Sequence, residues 1–147
     1  MSVRHVGVLE AHRLQNDDDY TYVDVRSVSE YENGHPAGAH NVPLLHFDSQ
    51  CGQMQSNPEF LAVMQANYPS DAKLLIGCQA GGRSSRAVQV LSSAGFEDTV
   101  NVKGGFGGYR DPVTGQVIDD GWSESDLPVE AGSPEDVSFD ALRQKVG

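Results

Sequence analysis

Residues 74–86 read LLIGCQAGGRSSR. A short apolar run, Leu74–Gly77, leads into Cys78. The pair Gly81-Gly82 follows, and Arg83 and Arg86 close the stretch. The apolar run reads as a short strand, and Ser84–Ala94 (SSRAVQVLSSA) as a helix with Ala87, Val88 and Leu91 as its apolar stripe. In open α/β sheets, sites form beyond the carboxyl ends of strands. Cys78 stands at such a corner, so it is a candidate nucleophile rather than a small residue packed at a strand end.

The residues between strand and helix fit that chemistry. Two adjacent glycines permit backbone conformations closed to other residues, so the chain curls and its N–H groups point inward. Such a nest, backed by a helix N-terminus, attracts an anion. The anion is the thiolate itself, which this setting favours over the thiol, or a sulfur or oxygen carried on it. Arg83 adds a permanent charge at the lip.

Working outward, strands and helices alternate. Thr21–Arg26 (TYVDVR) reads as a strand. Ser27–Glu32 opens with a capping-box pattern, Ser27 with Glu30, and ends at Asn33-Gly34. Gly38–Pro43 reads as a brief strand stopped by proline. Asn57 and Pro58 are the expected N-cap and first position of a helix running through FLAVMQANY, with Phe60, Leu61, Met64 and Tyr68 on one face. Asp98–Val102 is a further strand, followed by the loop KGGFGGYRD. Residues 111–130 read as irregular. Ser133 and Pro134 are the expected start of a last helix carrying Val137, Phe139, Leu142 and Val146. This alternation is the signature of a parallel sheet with helices on its faces.

The chain has 147 residues, which suits one globular unit needing no disulfide or metal to fold. Its formal net charge of −11 argues against nucleic acid and anionic membranes as partners. Solubility explains the acidity, with a basic protein partner as the lesser reading. No apolar run approaches the length of about 18 residues that a membrane span needs. The stretch MSVRHVGVLEAHR lacks a signal peptide's apolar core, so a cytoplasmic location is the expectation. The two cysteines, Cys51 and Cys78, make no disulfide framework. Five histidines without C-x-x-C or H-E-x-x-H spacing give no metal site, and no cofactor is expected.

The stretch resembles the active-site loop of the single-domain rhodanese (thiosulfate sulfurtransferase) family, whose pattern C-x-x-G-x-R-S is met by Cys78, Gly81, Arg83 and Ser84. The run DVRSVSEYENGHPAGAHNVP (24–43) resembles the family's D-V-R and G-H-x-x-G-A-x-N signature. VKGGFGGYRDPVTG (102–115) resembles its glycine-rich segment near the domain's end. The resemblance implies a central, mainly parallel sheet of about five strands with helices on both faces. It implies a domain over residues 1–130, leaving 131–147 as a tail with a short helix.

The resemblance also implies an activity. A donor such as thiosulfate gives its sulfane sulfur to Cys78. The persulfide is held by the backbone of Gln79, Ala80, Gly81, Gly82, Arg83 and Ser84, and a thiophilic acceptor, cyanide or a thiol, takes the sulfur. The acceptor is a small molecule or a thiol protein. Related phosphatases and arsenate reductases carry a loop one residue longer than the six from Cys78 to Arg83, so they are the less favoured reading. A sulfur carrier or regulatory binding module with little small-molecule turnover is the other alternative. Oligomeric state is not readable.

Supporting roles are expected elsewhere. Asp24 and Arg26 brace the site, with Glu30 the expected partner of Arg26. His35 supports the fold, and Arg86 is a solvated helix charge. Cys51 is either a resolving thiol or unrelated to the reaction. Phe106, Tyr109 and Trp122 either wall the pocket or pack ordinarily. Pro36 and Tyr109 depart from the family pattern, where a branched apolar residue and tryptophan are common.

Overall fold

Residues 4–48, 50, 52–80 and 82–146 are described by a computed structural model; Cys51 and Gly81 lie outside the described residues. In chain order the elements are β1 (Arg4–Val6), α1 (Val8–Asp17), β2 (Thr21–Asp24), α2 (Val28–Asn33), β3 (His35–Pro36) and β4 (His40–Asn41). Next come β5 (Leu45–Asp48), β6 (Gln53–Ser56), α3 (Phe60–Asn67), β7 (Lys73–Gly77), α4 (Gly82–Ser93) and β8 (Asp98–Val102). The last are β9 (Tyr109–Arg110), β10 (Val117–Asp119), a 3₁₀ turn at Trp122–Glu124, β11 (Val129–Glu130) and α5 (Phe139–Arg143).

The central sheet has five strands in the order β1-β8-β7-β2-β4, all parallel. Parallel strands need crossovers, and helices supply them on both faces. Successive side chains of β7 part accordingly. Leu74 and Ile76 join one core with Phe60, Val63 and Met64 of α3 and Ala87, Val88 and Leu91 of α4. Leu75 joins the other, with Val8, Ala11 and Leu14 of α1, Tyr31 of α2, and Trp122. In β8, Val100 and Val102 face the α1 core. Thr99 and Asn101 lie on the opposite face, where they bond Ser92 and Ser84 of α4. Among the described residues no helix is long and apolar enough to cross a membrane.

The α2 capping box forms as read. Ser27 accepts from the Glu30 N–H, and the Glu30 carboxylate accepts from the Ser27 N–H. Other boundaries shift. Helix α3 begins at Phe60 rather than Pro58, because Asn57 is spent on a preceding turn: its Oδ1 accepts from Glu59 N–H and its Nδ2 donates to Pro43 O. The 38–43 strand shrinks to His40–Asn41. Helix α4 starts at Gly82 and ends at Ser93. Residues 109–119, expected in part to be irregular, form the hairpin β9–β10.

The tail helix is capped by Ser138, whose Oγ accepts from Ala141 N–H, and not by Ser133. The Ser133 hydroxyl instead donates to Glu32. Phe139 and Leu142 enter the α3–α4 core at 6% and 3% exposure. Burial on that scale stabilises by about 1.5–3 kcal/mol per side chain. Asn41 N–H also donates to Val137 O, so the tail packs against the edge strand β4.

Candidate active site

The cysteine loop joins the carboxyl end of β7 to α4. Cys78 is buried, at 2% exposure, while Gln79 and Ala80 are exposed. Gly77, immediately before it, makes room for a neighbour: a Cβ there would lie 1.9 Å from the Tyr22 hydroxyl. That ring cannot yield, because Tyr22 is buried edge-on against Trp122.

A second loop grips the first. Phe106 N–H donates to Cys78 O at 2.7 Å, and Gly107 N–H donates to Gln79 O at 2.9 Å. Two main chains approach this closely only where side chains are missing. A Cβ on Gly105, which sits at φ +54°, would lie 2.1 Å from Cys78 O. One on Gly107 would meet only the end of the exposed Gln79 side chain, which can swing aside, and would stay 3.6 Å from Gln79 O.

Arg26 ties three segments together. Its guanidinium is buried, pairs with Asp24 at 2.7 Å, and donates to Gly34 O and to Gln79 Oε1. It also stacks 4.5 Å from the centre of the Phe106 ring. Arg26 therefore braces the loop as expected, but with Asp24 as partner and not Glu30. Glu30 pairs instead with Arg83, through bonds of 2.7 and 3.0 Å. Burial pushes the Glu30 carboxyl up, but the bonds from Arg83 and Ser27 outweigh it and hold the group at about 2. The hydrogen bond to Glu30 in turn raises the Arg83 guanidinium. The cation at the lip is thus anchored to α2, within electrostatic reach of Cys78.

Behind the thiol lies a polar chain. Cys78 Sγ is 3.4 Å from Ser84 Oγ, and the Ser84 hydroxyl donates to Asn101 Oδ1 at 2.6 Å. Asn101 Nδ2 meets His5 Nδ1 at 3.0 Å. Bordering the loop is a cavity of about 220 Å³ lined by Ala80, Gly82, Ser85, Lys103 and Tyr109, among others. Lys103 and Asp119 also line an adjoining cleft of about 370 Å³. Lys103 is exposed, and among the described residues it has no carboxylate within ion-pair distance.

The structure brings together Cys78, Gln79, Ala80, Gly82, Arg83 and Ser84, with Arg26 and Phe106 behind Gln79. Tyr109 lines the bordering cavity. Trp122 does not: it is fully buried in the α1 core, with its Nε1 donating to Pro128 O. His35 is buried and stacked on Tyr31, with Nδ1 bonded to Tyr31 O, a supporting role as read. Arg86 is exposed beside an apolar groove that includes Phe60 and Leu61. No cluster of metal-ligating side chains occurs among the described residues.

Sequence reasoning missed Asn101, His5 and Lys103. Asn101 had a readable signal, since in DTVNV polar and apolar residues alternate within a strand that the helices cover on both faces.

Comparison with known proteins matches residues 8–111 to the rhodanese-like domain family. The chain is 30% identical over 131 residues to thiosulfate sulfurtransferase 16, chloroplastic, of Arabidopsis thaliana, covering 89% of this chain and 90% of that protein. It is 34% identical over 112 residues to the senescence-associated protein DIN1 of Raphanus sativus, covering 76% of this chain but only 52% of that one. Among solved structures, Rv0390 from M. tuberculosis superposes with a TM-score of 0.70 at 27% identity, covering 90% of this chain and 100% of that one.

Proposed function

The chain belongs to the rhodanese-like domain family, and from that premise we propose that it is a sulfurtransferase using Cys78 as its nucleophile. The Cys78 thiolate attacks the outer sulfur of thiosulfate. A new S–S bond forms, the old one breaks, and sulfite leaves with the electron pair. Cyanide or a thiolate then attacks the outer sulfur of the persulfide. The acceptor–sulfur bond forms as the persulfide bond breaks, and the Cys78 thiolate returns.

One observation carries this reading: a buried cysteine just past the carboxyl end of a central strand, in a six-residue Cys78-to-Arg83 spacing whose last two residues lie in the first turn of α4. The helix end offers N–H groups and a positive dipole to the sulfur anion. The first-turn cation, Arg83, supports an anionic donor from the lip. Likeness to a relative named a thiosulfate sulfurtransferase supports thiosulfate as the donor.

The test is thiocyanate formation from thiosulfate and cyanide, with Cys78→Ser beside the parent protein. The rate is expected to fall by about 10³-fold or more. Mass spectrometry after thiosulfate exposure is expected to find one added sulfur on the parent and none on the variant. A serine variant that keeps full rate would falsify the assignment. Hydrolysis of a phosphate ester that disappears with Cys78 would move the reading to phosphate chemistry. One added sulfur without steady-state turnover would move it to a carrier.

A further inference from the structure

We propose that Asn101 and His5 are positioning residues for Cys78, acting through Ser84 by deciding which way the Ser84 hydroxyl donates. The inference deepens the reading of Cys78 as a nucleophile and rests on it. Three elements supply the chain of contacts. Ser84 lies in the first turn of α4, Asn101 on β8, and His5 on the edge strand β1, in register with Asn101. Ser84 and Asn101 are buried, at 0% and 5% exposure.

The atoms fix the direction of each bond. A serine hydroxyl has a single hydrogen. Here it goes to Asn101 Oδ1 at 2.6 Å, so Ser84 Oγ meets the sulfur as an acceptor, at 3.4 Å. An amide nitrogen only donates. Asn101 Nδ2 therefore donates to His5 Nδ1, which must be the unprotonated ring nitrogen. His5 thus holds the Asn101 amide with its oxygen toward Ser84.

This polarity has a chemical consequence. An oxygen lone pair facing the sulfur favours S–H over the anion. If Asn101 ceases to accept, the Ser84 hydrogen is released to the sulfur, where it stabilises a thiolate or a persulfide anion. Asn101 and His5 therefore restrain the resting thiol, and turning one hydroxyl relieves the restraint. Only hydrogen bonds exchange, and the thiol proton leaves to solvent. Among the described residues, the charged and titratable groups within electrostatic reach of the sulfur are Tyr22 from β2 and Arg83 from α4, with the Asp24–Arg26 pair at and just beyond the end of β2 acting on Tyr22. They are common to all the variants below, so their contribution cancels in the comparison.

The experiment reads the thiol itself and needs no sulfur transfer. Ultraviolet thiolate absorbance is followed against pH, and iodoacetamide alkylation rates are measured, on the full chain. Asn101→Leu fills similar space and removes the acceptor. The thiolate midpoint is expected to move down by about one pH unit, with alkylation about tenfold faster below the midpoint. Asn101→Asp keeps an acceptor for Ser84 and is expected to produce no downward shift. The double variant Asn101→Leu with Ser84→Ala is expected to lose the shift. A residue that merely supports the fold would change melting temperature without this dependence on Ser84.

His5 is exposed, and His5→Ala is expected to shift the midpoint the same way by a smaller amount. The proposal is overturned by an unmoved or raised midpoint in Asn101→Leu, or by a shift that persists in the double variant. Should the leucine variant not fold, an unmoved midpoint in His5→Ala overturns it. The expected shift in a protein that forms no persulfide from thiosulfate would remove the sulfurtransferase reading alone.

Discussion

At its incoming end the cysteine loop is gripped by main chain: N–H groups of the 104–108 loop donate to the carbonyls of Cys78 and Gln79. Its outgoing end is gripped by side chains, Arg83 by Glu30 and Ser84 by Asn101. The contrast separates two jobs. The main-chain grip sets where the sulfur sits, and it tolerates no Cβ at Gly105. The side-chain grip sets what charge and which hydrogen the sulfur meets, and it couples the loop to the stability of α2.

The comparison breaks most sharply at the incoming end. Gly105→Ala places a methyl group against Cys78 O, so the glycine loop must withdraw. Thiosulfate:cyanide turnover is expected to fall on the order of 10²-fold, the scale of a misplaced reacting atom. Near-parental turnover would mean that the main-chain grip does not position the sulfur.

At the outgoing end the larger effect is on stability. Glu30→Ala removes the capping partner and the Arg83 bond together, and is expected to cost about 1–2 kcal/mol in denaturant unfolding at neutral pH. Because the folded carboxyl is held at about 2, below its ordinary 4.5, Glu30 stabilises fully above pH 4.5. That contribution is lost as pH falls from about 4.5 to about 2. The gap between parent and variant should close across the same window. A gap independent of pH would show that the ion pair contributes nothing beyond packing.

The smallest effect is expected between the two ends. Lys103 lines the cavity beside the loop without gripping it. Lys103→Ala should raise KM for thiosulfate roughly two- to fivefold and leave kcat unchanged. A change in kcat instead would place Lys103 with the positioning groups.

Much of this arrangement is legible in the sequence because it is local. The strand before Cys78, the glycine pair, the helix after it and the Ser27–Glu30 box all lie within a few residues of one another. Pairings across the chain are not legible. Glu30 meets Arg83 from 53 residues away, while Arg26, the nearer candidate, is held by Asp24 two residues before it. Helix α1 is not legible in the sequence because Gly7 offers no side-chain cap to mark its start. Ser133 has the residue type and spacing of a cap, but Glu32, 101 residues away, takes its hydroxyl. Trp122 is a pocket-wall candidate by its place after the glycine loop. Its bulk is spent in the α1 core, a choice that only the folded topology reveals.

The strand order also carries a consequence for the chain as it is being made. A polypeptide emerges amino end first, at about 5–20 residues per second. Within the sheet, β1 has β8 as its neighbour, so Arg4–Val6 waits for Asp98–Val102 to appear. Phe139 and Leu142, which share a core with Cys78, emerge later still. For several seconds a nascent chain therefore carries the cysteine residue before the 104–108 loop, Asn101 and the rest of the core are there to hold it. The sulfur that ends at 2% exposure begins as an open thiol, and its reactivity in that interval is governed by chain growth rather than by the groups that later surround it.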